Sequence, residues 1–303
     1  MEFLYILEKI RIPVLNEFML LITKLGEETA FLVVGLIMFW CVSKRRGYYV
    51  MSVGFLGTIA SQAMKIICRI PRPWVKDPNF SILEQAREAA DGYSFPSGHT
   101  QSAFGTFGAI AATTKQKGTI AICILLSVLV GLSRMYIGVH TPEDVLVGAG
   151  LSVGFIAILY PLMIGKKDLT FPVLIGLGLI SALYLLVMEL TAFPADIDAH
   201  NLESAMKNAY TLTGCTIGLI LVYPLEKKYV NFPEKAIWWA QILKVVVGLI
   251  LVLAVKEGLR SPLEALFAGH LAARAIRYFL VVMVAGLLWP MTFQFFAKLG
   301  KKV

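Results

Sequence analysis

The sequence predicts an all-α fold: a polytopic membrane helix bundle of about nine transmembrane helices, preceded by an N-terminal amphipathic interfacial helix. Three observations predict it. First, 57% of the 303 residues are hydrophobic and only 16% are charged, against roughly 25% charged in soluble domains, and the mean hydropathy is +0.73. Second, long apolar runs recur along the whole chain with basic clusters at their ends, as membrane loops require. Third, none of these runs alternates with the period of a strand, and an open sheet edge in lipid would leave backbone groups unpaired. The net charge of +8 raises nucleic acid as a partner. The position of the cations at the ends of apolar runs argues against it.

Residues 1–26 interleave Glu2, Glu8, Lys9, Arg11, Glu17 and Lys24 with apolar side chains. They lack the uninterrupted apolar core and small-residue cleavage site of a signal peptide. The segment reads as a helix lying in the interface, with a tilted spanning helix as the alternative. Apolar runs able to span follow at 28–43, 47–67, 99–115, 118–138, 142–164, 170–192, 206–225, 237–257 and 272–296. A span needs about 20 residues, so the first and third draw on their flanks. Cys41, Cys68, Cys123 and Cys215 lie in or beside these runs without paired or metal-ligand spacing, and read as small apolar residues. The chain divides into the interfacial helix 1–26, a motif-bearing membrane core 27–167 and further spans over 168–303.

The short loops sort by charge. One face receives Lys44-Arg45-Arg46, Lys115, Lys117, Lys166, Lys167, Lys227, Lys228, Lys235, Lys298, Lys301 and Lys302, thirteen cations in all. That density predicts a cytoplasmic face with the C-terminus on it. Residues 68–98, 139–141, 193–205 and 258–271 then lie outside. Within the first of these, Ser81 is a candidate cap for a short helix over 82–90, and residues 74–95 read equally as a lid or as a solvated connector.

The chemistry sits in SRMYIGVHTPED, residues 133–144. Six residues of helix rotate by about 240°, so Arg134 and His140 cannot share one helical face, and Gly138 is the expected stop. Thr141-Pro142 restarts a helix with a good cap and a suitable first residue. Four residues apart, His140 and Asp144 can meet there. A carboxylate beside a histidine fixes its tautomer and stabilises its cation, which sets the ring up as a nucleophile. Upstream, KIICRIPRP carries Lys65 and Arg72, and PSGH carries Ser97, Gly98 and His99 ahead of an apolar run. A small-residue turn entering a helix offers free N–H groups to an anion. The cations Lys65, Arg72 and Arg134 can neutralise a phosphoryl group. Ser97 and the Gly98 N–H can hold further oxygens. A zinc site of His99, His140 and Asp144 is the competing reading. Three adjacent cations would repel the metal, so no metal and no cofactor is expected.

Lys-x6-Arg-Pro, Pro-Ser-Gly-His and Ser-Arg-x5-His-x3-Asp, in this order, resemble the type 2 phosphatidic acid phosphatase (PAP2) superfamily, over roughly residues 50–160. The resemblance implies a membrane hydrolase in which His140 attacks phosphorus, Asp144 supports it, and His99 protonates the leaving oxygen. Lys65, Arg72, Ser97, Gly98 and Arg134 would bind the phosphate. The implied partners are membrane lipids and a phosphorylated lipid substrate. Undecaprenyl diphosphate, phosphatidate and phosphatidylglycerol phosphate are the candidates, cleaved through a phosphohistidine on the extracytoplasmic side of a bacterial plasma membrane. Two alternatives differ in class. One is a glucose-6-phosphatase-like enzyme for a small soluble ester. The other is a non-catalytic lipid transporter or scaffold, against which the intact motif set argues. No protein partner is indicated.

Overall fold

The computed structural model describes residues 1–87, 90 and 92–299. Its described residues contain helices and connecting turns but no strand. The helices are α1 Glu2–Lys9, α2 Pro13–Thr23, α3 Glu28–Ile37, α4 Lys44–Cys68, α5 Pro73–Lys76, α6 Gly98–Ala112, α7 Lys117–Tyr136, α8 Pro142–Met163, α9 Thr170–Leu190, α10 Ala199–Leu225, α11 Trp238–Gly258, α12 Arg260–Leu266, α13 Ala272–Met283 and α14 Phe293–Lys298. Among the described residues, seven helices are long and apolar enough to cross a membrane. An eighth arises if the bent pair Pro13–Gly26 and Glu28–Val42, which turns by 57°, counts as one span. Nine were expected. The run at 99–115 forms only the 15-residue α6, about 22 Å long. The run at 28–43 is the second half of the bent pair.

The N-terminal segment is two helices rather than the one expected. Pro13 disfavours helical geometry at the residue before it, and Ile12 is accordingly extended, with φ −131° and ψ 152°. Pro13 itself opens α2 at a position where its missing N–H costs nothing. The break frees Arg11 to donate from Nε to the Tyr136 carbonyl at 3.0 Å and from Nη1 to the Ser81 carbonyl at 2.9 Å.

The chain forms two compact units. The first comprises residues 1–32, 50–161 and 192–205. Its centre is the pair α6 and α7, with α1, α2 and the 3₁₀ turn Lys24–Gly26 packed against them. Helix α6 is rich in small residues, and small residues let helices approach closely where lipid supplies no hydrophobic drive. Ala103, Phe107, Cys123 and Val130 fill the α6–α7 interface. Ser127 Oγ donates to the Ala103 carbonyl at 3.4 Å, and Ser152 Oγ in α8 donates to the Gln101 carbonyl at 2.6 Å. The described residues of 74–95 are pinned to this unit at several points. Phe80, Ile82 and Ala86 are buried in this unit's core, and Leu83 N–H donates to the Ile137 carbonyl at 3.1 Å. Within 82–90 the described residues hold only a 3₁₀ turn, Glu84–Ala86. Residues 88 and 89 of that expected helix lie outside the described set.

The second unit comprises residues 33–49, 162–191 and 206–303. Two π turns, Met38–Val42 and Val284–Leu288, present carbonyls that side chains satisfy. Trp40 Nε1 donates to the Ala285 carbonyl at 2.8 Å. Buried Lys244 donates to the carbonyls of Trp40 at 2.9 Å and Glu234 at 3.0 Å, and lies 4.3 Å over the Phe293 ring. Trp289 Nε1 returns a bond to the Lys244 carbonyl at 3.2 Å, and the tryptophan is buried. Glu189 accepts from Tyr210 Oη at 2.7 Å.

Candidate active site

The first unit gathers all eight motif residues. The turn after α7 does the local work. Gly138 has φ +89°, a left-handed conformation that glycine adopts without strain. Its N–H donates to the Met135 carbonyl at 3.1 Å, and the Val139 N–H donates to the Arg134 carbonyl at 3.1 Å. This is the paired closure of a Schellman motif. A Cβ at Gly138 would fall 2.9 Å from Arg11 Nη2 and 3.0 Å from the Phe80 ring. The chain therefore reverses within four residues and delivers His140 beside the end of the helix that carries Arg134.

Helix α8 then starts with reciprocal capping between Thr141 and Asp144. Thr141 N–H donates to Asp144 Oδ2 at 2.9 Å, and Asp144 N–H donates to Thr141 Oγ1 at 3.4 Å. Asp144 Oδ2 lies 3.3 Å from His140 Nδ1. It also accepts from Ser94 Oγ at 2.5 Å. On the far side of the ring, Arg72 Nη1 lies 2.9 Å from His140 Nε2 and donates to the Val139 carbonyl at 2.9 Å. A guanidinium has no acceptor, so Nε2 must supply the lone pair and Nδ1 carries the proton toward Asp144. Both His140 and Asp144 are buried. Burial first, then the charges of Arg72, Arg134 and Lys65, hold the His140 imidazole well below the usual histidine range. The same burial and cations favour the uncharged ring.

The phosphate-binding candidates surround it. Lys65 near the end of α4 donates to the Tyr93 carbonyl, and Arg72 Nε donates to the Gly92 carbonyl at 3.0 Å. Arg134 is buried at the end of α7, its Nη1 donating to Thr23 Oγ1 at 2.8 Å. Its Nε is buried with no hydrogen-bond partner among the described residues, a costly state for a charged group unless a ligand oxygen completes it. Ser97 caps α6. Its backbone N–H is taken by the Asp144 carbonyl at 2.9 Å, and its Oγ accepts from Thr100 Oγ1 at 2.9 Å. So the expected Ser-Gly cradle reduces to the N–H groups of Gly98 and His99, which have no acceptor within their own helix, and to the Ser97 hydroxyl proton. A Cβ on Gly98 would meet nothing nearer than Ser61 Oγ at 4.0 Å, so the space before it is open. His99 is half-buried and within electrostatic reach of Arg134, His140, Arg72 and Lys65. Among the described residues no three His, Cys, Asp or Glu side chains form a metal-ligand group.

Four contributors escaped the sequence reading: Ser94, Thr23 and the carbonyls of Gly92 and Tyr93. Ser94 has a faint signal, three residues before the Ser-Gly-His turn. A carbonyl carries none.

Residues 45–168 match the model of the PAP2 superfamily, and residues 210–302 match that of the PAP2 superfamily phosphatase transmembrane extension. The chain is 30% identical over 159 residues to phosphatidylglycerophosphatase B of Bacillus subtilis, covering 48% of this chain and 73% of that protein. The chain belongs to the PAP2 superfamily. It is also 34% identical over 148 residues to a probable sphingosine-1-phosphate phosphatase of Dictyostelium discoideum. That match covers 45% of this chain but 35% of the relative, so the chain spans about a third of that protein. No solved structure gives a significant match. Membership makes the chain a membrane phosphatase by family, and all eight candidate residues fall inside the PAP2 segment.

For a PAP2 site built this way, Arg134→Lys is expected to lower kcat/KM by about 10²–10³-fold, the scale for losing one preorganised donor to a developing oxyanion. An ammonium cannot keep Thr23 and reach the phosphate from a second nitrogen as a guanidinium does. Steady-state phosphate release checks this, and a loss under about threefold would remove Arg134 from the site.

Proposed function

We propose that this protein hydrolyses a lipid phosphate or diphosphate through a phosphohistidine on His140, without a metal. The observation that carries the proposal is the seat of the His140 ring, with Nδ1 facing Asp144 and Nε2 facing Arg72. Phosphate binding would draw Arg72 off Nε2 onto a phosphoryl oxygen, with Lys65 and the unpaired Nε of Arg134 taking others. Nε2 then attacks phosphorus in line. The N–P bond forms as the bond to the leaving oxygen breaks, and His99, which takes up a proton once the phosphate's negative charge offsets the surrounding cations, gives that proton to the leaving oxygen. Asp144 stabilises the positive ring. In the second half His99, now neutral, takes a proton from water as the water oxygen attacks phosphorus. The N–P bond breaks, and inorganic phosphate and the free ring return.

A lipid substrate is supported by the setting. The candidate residues lie at or near the ends of α4, α6, α7 and α8, where a head group can reach them while its tail stays in lipid. Both curated relatives carry names of lipid-phosphate phosphatases. Undecaprenyl diphosphate, phosphatidate and phosphatidylglycerol phosphate are the proposed substrates. The cation-rich short loops support a site on the extracytoplasmic side by the charge rule.

The test is phosphate release by purified protein from these three lipids and from glucose 6-phosphate, with and without EDTA. Release from a lipid, unchanged by EDTA, is expected. Recovery that depends on added zinc would revive the metal reading. Turnover of the sugar phosphate alone would move the enzyme to soluble substrates.

A further inference from the structure

Residues 192–205 belong to neither matched segment, since one model ends at 168 and the other begins at 210. They nevertheless fold with the first unit. They do so against the two residues whose carbonyls hold the site's cations, Gly92 and Tyr93. Lys65 donates to the Tyr93 carbonyl and Arg72 to the Gly92 carbonyl. On the other side of the same dipeptide, Tyr93 Oη accepts from the Asp198 N–H at 3.3 Å. A Cβ built on Gly92 would lie 3.7 Å from Lys65 Nζ and 3.8 Å from Asn201 Oδ1. Asn201 is half-buried, and its backbone N–H donates to Asp198 Oδ1 at 2.8 Å, which fixes the backbone that carries it. One turn beyond Lys65, Arg69 Nη1 pairs with Asp196 Oδ1 at 3.4 Å. Arg69 is itself held at φ 49°, an uncommon conformation for a non-glycine residue.

We propose that residues 196–201 form the head-group wall of the site and select a phosphomonoester whose alcohol carries further hydrogen-bond donors, over a diphosphate. The inference rests on the phosphatase reading above and names its substrate class. Two features give the direction. The Asn201 amide and the free oxygens of Asp196 and Asp198 accept bonds from a hydroxyl or ammonium next to the phosphate. The same carboxylates repel a second phosphoryl group, and Asp196 occupies Arg69, a cation that would otherwise receive that group. The Gly92-Tyr93 link makes the wall and the phosphate cations one assembly, so a bound head group spans both.

The experiment compares kcat/KM of the full chain with those of Asp196→Asn and Asn201→Ala. The substrates are phosphatidylglycerol phosphate, which bears a glycerol hydroxyl, phosphatidate, which has none, and undecaprenyl diphosphate. The ratio of phosphatidylglycerol phosphate to diphosphate turnover is expected to fall about fivefold or more in each variant, the scale of one hydrogen bond. In Asp196→Asn the fall comes from gained diphosphate turnover, and in Asn201→Ala from lost glycerol-head turnover. Phosphatidate should change less than about twofold by the same reasoning. A ratio unchanged in both variants overturns the wall. So does an equal loss on all three lipids, which marks a merely structural role. A native chain that releases phosphate from no lipid overturns the phosphatase reading instead.

Discussion

His140→Ala is expected to abolish phosphate release, by about 10⁴-fold or more, the scale for removing a nucleophile from a preorganised site. The reason is positional. Nε2 is the only lone pair that the Asp144 and Arg72 contacts leave on the ring, and alanine offers no atom in its place. The variant should remain folded. The Thr141–Asp144 cap and the Ser94 bond to Asp144 do not pass through the imidazole, and the Arg72 bonds to the carbonyls of Val139 and Gly92 persist. Monodispersity in detergent and an unchanged melting midpoint check the fold. A second readout isolates the chemistry: substrate labelled on phosphorus, quenched in alkali, should leave label on the native chain and none on the variant. Label or turnover retained by the variant would sink the nucleophile assignment.

Asp144→Asn should cost about 10³–10⁴-fold in kcat, by analogy with other histidines that lose an orienting carboxylate. Asp144 Oδ2 receives three donors: Ser94 Oγ at 2.5 Å, Thr141 N–H at 2.9 Å and His140 Nδ1 at 3.3 Å. An asparagine presents one oxygen and one NH₂ in the same volume. Because one oxygen serves both Thr141 and the ring, the amide either keeps both contacts without the charge or flips, loses the cap and turns its NH₂ toward Nδ1, favouring the tautomer with its proton on Nε2. That tautomer has no lone pair for phosphorus. The charge that stabilises the phosphorylated ring is lost as well. KM should move little, because the carboxylate does not touch phosphate in this scheme. A kcat within about tenfold of native would mean that the ring's orientation is set elsewhere, with Arg72 and Ser94 the next residues to change.

Much of this site could be read locally because its turns obey short-range rules. Gly138 ends α7 with both backbone bonds of its motif, and Thr141 opens α8 three residues before the carboxylate that caps it. Those rules reach only a few residues. Ser94 stands 50 positions from Asp144, and Thr23 stands 111 from Arg134; no pattern in the chain announces either pair. The N-terminal segment was legible as amphipathic. Its division at Ile12-Pro13, and the use of Thr23 as a partner for a buried arginine, were not.

The sequence by itself determined the class of structure and the inventory of chemistry. Hydrocarbon forbids unpaired backbone, so apolar runs with basic ends must be helices, and the three motifs name their eight residues in order. What only the tertiary structure decided was which partner each of those residues has. Lys65 and Arg72 are aimed by the carbonyls of Tyr93 and Gly92, and every residue has a carbonyl, so side-chain identity cannot encode that choice. Ser97 uses its N–H on the Asp144 carbonyl rather than keeping it for an anion, because α8 arrives beside α6. Such contacts depend on where distant helices come to rest, and packing sets that.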